Sequence, residues 1–269
     1  MGPSIQIRDD QNSIADRCNE LAIAANSILE QLPKQGDRQY RYFFGILVRY
    51  RTILSDIAVL LRKNNTSHFS SIFVLFRILL DDLIRLVSVW ASLNPEEQLD
   101  QLDADAYKHR LDAMRLRVDY TTEFIPDLTF GQSMQAILDE EKNDFYSHSA
   151  YSHLFVDQAQ KRLKKLPPIS EALTRVTAKP NWNLKALSEL NVLYKEMSGH
   201  VHYSTLVFKE DRDEERRKHE IAHFAVVQIY LYKELLIHLD FFHKRQVPIR
   251  AEFPALNQWF NSAVVIRED

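Results

Sequence analysis

The stretch FSSIFVLFRILLDDLIRLVSVWASL, within residues 68–93, is apolar around most of a helical circumference. A helix of that kind has to be either the centre of a folded protein or a membrane span. Arg77, Asp81, Asp82 and Arg85 occupy its middle, and a bilayer centre would cost roughly 2.5–3.5 kcal/mol for each such charge. The segment therefore reads as the central helix of a helical bundle that is not embedded in a membrane. A second helix of this type is expected over residues 212–244. It starts in the highly charged run KEDRDEERRKHE (209–220) and becomes nearly all apolar from 221 to 242.

The rest of the chain repeats the helical period. Ile14, Cys18, Leu21, Ala25, Ile28 and Leu32 recur at three- and four-residue steps, as do Tyr42, Ile46, Arg49, Ile53, Ile57 and Leu60. NPEEQ opens an element running to about residue 122, and FIPDLTFG separates it from a helix expected over residues 132–166. FYSHSAYSHLF, with His148 and His153, reads as a packed face of that helix. Further helices are expected over 184–198 and about 252–262. Only five glycines occur in 269 residues, too few for the repeated turns of a sheet protein. The expected fold is all-α: one elongated multi-helix domain over residues 9–262, with N-terminal helices at 9–64, a core at 68–243, and two largely apolar long helices at its centre.

Apolar residues at 45% and charged residues at 26% are those of a folded chain, and the formal net charge of −3 provides no field for holding duplex DNA. Cys18 is the sole cysteine, which excludes an intrachain disulfide and a cysteine zinc site. The N-terminus lacks the charged and apolar regions of a signal peptide, so the expected location is the cytoplasm.

Three groups of residues carry candidate chemistry. His219, Glu220 and His223 spell His-Glu-x-x-His, in which two histidines one turn apart bind zinc and the glutamate polarises a metal-bound water. The preceding DEERRK describes a water-facing turn, no third ligand stands at a motif spacing, and two surface histidines account for the pattern as well. Zinc is therefore the alternative, and no cofactor is the leading expectation.

Arg77, Asp81 and Arg85 are spaced i, i+4, i+8 and form one polar stripe on the apolar helix. It reads equally as a structural ion pair of Arg77 with Asp81 or as one wall of a polar site inside the bundle. The third group lies in LYKEMSGHVHYSTLVF (193–208), where Tyr194, Ser198, His200, His202 and Ser204 sit in an apolar frame. His202 is the better placed of the two histidines for acid–base work, with Ser204 or Tyr194 to position a substrate or water. A histidine packed at a helix junction is the structural alternative.

Taken together, these last two groups resemble a family of bacterial helical proteins of unknown function, which pairs Arg-x-x-x-Glu on an early apolar helix with a later Tyr-x-x-x-Ser-x-x-x-His-x-Ser element. Arg77 matches the arginine, Asp81 stands for the glutamate, and Tyr194, Ser198, His202 and Ser204 match the later element. That family is similar to the HEPN helical domains, many of which are metal-independent ribonucleases of bacterial toxin and antiphage systems. The HEPN hallmark places arginine four to six residues before histidine, whereas this chain has Lys195 there. The resemblance implies an effector acting on RNA or a nucleotide, with Arg77, Asp81 and His202 catalytic and Tyr194, Ser198, His200 and Ser204 binding substrate. The rival reading is a non-catalytic helical protein that forms a homo-oligomer or binds a partner protein.

Overall fold

The computed structural model describes residues 10–63, 69–124, 128–177, 190–195, 197–198 and 214–263. The fold is all-α. Its helices are α1 (Gln11–Leu29), α2 (Arg38–Arg62), α3 (Phe69–Trp90), α4 (Pro95–Phe124), α5 (Leu128–Ser147), α6 (Ile169–Thr177), α7 (Glu214–Lys244) and α8 (Pro254–Ala263). A 3-10 turn (Ser149–Leu154) and a small antiparallel hairpin of β1 (Phe155–Asp157) and β2 (Arg162–Leu163) interrupt the series. Residues 190–195 are also helical. Among the described residues no helix is long and apolar enough to cross a membrane. Contacts divide the chain into two compact units, one built on α1–α3 and α6–α8, the other on Ala91–Pro168.

In the first unit, the three- and four-residue spacing of α1 buries Ile14, Cys18, Leu21, Ala25 and Ile28 completely. Asp10 caps this helix, its side chain accepting from Ser13 N at 2.7 Å. Asp37 caps α2 in the same way through Tyr40 N at 2.8 Å, and the Tyr40 hydroxyl donates back to Pro33 O at 2.7 Å. The turn is tight enough that a Cβ on Gly36 would run into the Tyr40 ring, so only glycine fits there. The two helices expected at the centre are α3 and α7. Phe224 of α7 sits among Phe69, Phe73 and Phe76 of α3, with ring centroids 5.8, 4.7 and 5.0 Å away, and all four rings are buried. Each such burial contributes about 1.5–3 kcal/mol.

In the second unit, α4 opens with Pro95 at its first position, where the missing N–H costs nothing. Asn94 and Glu97 cap it reciprocally through Glu97 N to Asn94 Oδ1 (3.4 Å) and Asn94 Nδ2 to Glu97 Oε2 (3.2 Å). Its core gathers Ala104, Leu111, Phe145, Leu154 and Phe155. Here the structure corrects the helix expected over residues 132–166. The helix stops at Ser147, His148 adopts an extended backbone and caps the following turn, its Nδ1 accepting from Ala150 N at 3.1 Å. The cause is aromatic packing. Phe155 stands 5.4 Å from Phe145 and Tyr151 5.2 Å from it, whereas a continuous helix would carry residue 155 about 15 Å along the axis from residue 145. FYSHSAYSHLF therefore spans the end of α5, the 3-10 turn and the start of β1, and is no continuous helix face.

Candidate functional site

Arg77 lies half-buried on α3 and meets residues that the sequence sets far away. Its Nε donates to Ser198 Oγ at 3.0 Å and its Nη2 to the Tyr194 hydroxyl at 3.1 Å. The guanidinium carbon also lies 5.3 Å from the centroid of the Tyr194 ring, within cation–π range. Ser198 is itself oriented, since its hydroxyl donates to the Tyr194 carbonyl one turn back at 2.8 Å. Spacing i, i+4 puts Tyr194 and Ser198 on one face of a helical segment, and that face is the one turned to α3.

The ion pair of Arg77 with Asp81, one of the two readings of the stripe, is not formed. Arg77 is drawn to the two hydroxyls, while Asp81 lies 4.0 Å from Arg85 with its side chain 43% exposed. The stripe runs as one line along α3, but its two ends have different partners. His200, His202 and Ser204 lie outside the described residues. So does the side chain of His219; Glu220 and His223 are half-buried on α7. Among the described residues no group of three or more histidine, cysteine or acidic side chains is arranged to hold a metal ion.

Asp82, one residue along from the stripe, is buried. With Tyr42 and Arg49 of α2 and Glu234 and His238 of α7 it forms a polar nest inside the first unit. Arg49 reaches in from the surface, its Nη2 donating to Asp82 Oδ1 at 2.6 Å. Glu234 and His238, one turn apart on α7, are wholly buried with Oε1 and Nε2 3.8 Å apart. The Tyr42 hydroxyl, Asp82 Oδ2, both Glu234 oxygens and both His238 nitrogens are buried without a hydrogen-bond partner among the described residues. Leaving such groups unsatisfied costs about 1–3 kcal/mol each.

Burial sets the protonation of the nest. It pushes the Asp82 carboxyl up to about 7, with Arg49 pulling the other way and Asp81 adding to the rise. Burial holds the Glu234 carboxyl well above its ordinary range, and the neighbouring Asp82 charge raises it further. Burial alone lowers His238 to about 3, and burial with the nearby acids raises the Tyr42 phenol. His238, lowered to about 3, is a neutral imidazole at neutral pH, so its close approach to Glu234 is no ion pair. Within this buried set, Asp82 is poised to exchange a proton near neutrality. The sequence carries a faint signal of it: Glu234 and His238 stand i, i+4 in an otherwise apolar run.

No family model, curated protein or solved structure gives a match to this chain.

Proposed function

We propose that the protein is a HEPN-like bacterial conflict or stress effector that acts on RNA or a nucleotide in the cytoplasm without a metal ion. The observation that supports it most is the environment of Arg77. A half-buried guanidinium kept for stability is ordinarily matched by a carboxylate. Arg77 is instead held by two neutral hydroxyls, Tyr194 and Ser198, which fix its direction and leave its charge and remaining N–H groups for an anion. His202 follows Ser198 by four residues in sequence. In this reading Arg77 stabilises charge developing on a phosphate while His202 moves the proton of the attacking 2′-hydroxyl.

The test is total RNA integrity in bacteria induced to express the chain, beside His202→Ala and Arg77→Ala at matched soluble expression. Fragmentation with the parent alone is expected. Intact RNA in every culture would remove the ribonuclease reading. A specific observation favours the non-catalytic rival: Leu116, Tyr120 and Phe124 recur every fourth residue on α4 and are all exposed, an apolar stripe of the kind that binds other proteins. Under that rival, RNA stays intact and the chain sediments as an oligomer or complex.

A further inference from the structure

The second unit holds a cavity of about 550 Å³ between α4, α5 and the hairpin. Lys108 and Arg115 of α4, Lys142 of α5, and Lys161, Arg162 and Lys165 around the hairpin line it, with Asp105 and Asp112 as its acids. Asp112 pairs with Lys108 at 3.6 Å, and Asp105 lies 3.5 Å from His109, an ion pair only when that histidine is protonated. Arg115 lies 3.8 Å from Asp119. Lys164, the other base on the wall, is tied to the buried Asp100 at 2.6 Å, which fixes the hairpin strand in place. Lys142, Lys161, Arg162 and Lys165 make no ion pair among the described residues; Lys161 leans on the Tyr146 ring instead, with Nζ 4.8 Å from the centroid.

Four cations that make no ion pair among the described residues gather from separate elements around one cavity, where they repel one another. Such an arrangement is stabilised by a compact anion carrying several charges. The volume falls in the range of small-ligand sites, roughly 300–1,000 Å³. Leu111, Leu163 and Leu166 supply an apolar stretch of wall beside the charges. The cations are gathered around one cavity, which differs from the extended basic track with stacked aromatics that single-stranded nucleic acid requires.

We propose that this cavity is a binding site for a nucleoside triphosphate, its phosphate chain held by Lys142, Lys161, Arg162 and Lys165 and its base set against the leucines. The site is independent of the Arg77 reading and stands whether or not that site is catalytic.

Titration calorimetry on the full chain tests it, with three probes: ATP, inorganic tripolyphosphate, and a single-stranded oligoribonucleotide without a terminal phosphate. The expected result is one ATP per chain, weaker binding of tripolyphosphate, and weakening of both as salt is raised. The double substitution Lys142→Glu with Arg162→Glu should lower ATP affinity roughly tenfold or more for each charge-assisted hydrogen bond it removes, with an unchanged thermal melt as the control for folding. Lys165→Glu, at an exposed position, replaces the double variant should that fail to fold. The proposal is overturned by no binding of ATP, by equal ATP binding to the charge-reversed chains, or by oligoribonucleotide binding where neither smaller probe binds. Binding of tripolyphosphate but not ATP would overturn its nucleoside part.

Discussion

Asp82 is joined to Arg49 through one carboxylate oxygen only: Oδ1 accepts from Nη2 at 2.6 Å, and Oδ2 is buried without a partner. Because burial outweighs the arginine and raises this carboxyl to about 7, the folded chain holds the Asp82 proton more tightly than the unfolded chain does. Stability contributed by the protonated form is complete below about pH 4 and is lost as pH rises toward about 7, with no further change above. Urea denaturation of the parent and of Asp82→Asn across this range should show the parent losing ground to the variant by on the order of 4 kcal/mol. A stability difference that stays constant with pH would mean that Asp82 takes up its proton equally in the folded and unfolded chain.

The buried imidazole of His238 predicts the opposite slope. Its depression to about 3 from 6.5 means that the unfolded chain takes the proton more readily, so the associated stability is complete above about pH 6.5 and is lost as pH falls toward 3. The difference between the parent and His238→Met should therefore move in favour of the parent as pH rises from about 3 to 6.5. Methionine suits the comparison because the ring is packed as an apolar body, with Phe43 edge-on at 5.7 Å and Phe242 at 6.3 Å. A difference of the same sign as that for Asp82→Asn would exclude a neutral His238 in the folded state.

Much of the first unit was legible because its helices bury one face each: the five α1 residues picked out by spacing from Ile14 to Ile28 all have no exposure. The meeting of Arg77 with Tyr194 and Ser198 comes from the packing, since nothing local to either segment announces the other. Asp82 was not legible, because two consecutive acids leave open which one faces inward, and that is decided by Arg49 on another helix. The break after Ser147 was hidden for a different reason. Its first residue, His148, has an ordinary extended backbone, and the hairpin that follows turns through Lys161 at a φ of 54°, where a glycine or asparagine would have marked the bend.

The link of Arg77 to Ser198 gives a test by double-mutant cycle. Each hydrogen bond from a charged donor is worth about 1.5–3 kcal/mol, and half-burial places this pair toward the lower end. Ser198→Ala and Arg77→Met should each destabilise the fold, and the double variant should cost less than their sum, with a coupling of roughly 0.5–3 kcal/mol. Full additivity would show that the two side chains are not bonded in solution. The cycle is independent of activity, so it separates a misplaced site from a correctly built site that lacks its substrate.

Phe145 offers a test of the second unit's own core. Its ring is 2% exposed and stacks on Tyr107 at 4.5 Å, with Tyr151 and Phe155 closing around it. Truncation to alanine removes the common partner of three rings and leaves a cavity, which should cost about 3–5 kcal/mol. The core it serves lies entirely between residues 104 and 163, whereas α1 and α2 bury their own set around Ile14, Leu21, Leu47 and Leu54. Hydrogen exchange on Phe145→Ala should therefore show protection falling in α5 and the hairpin while the amides of α1 and α2 keep theirs. Equal loss in both places would show that the two cores unfold as one.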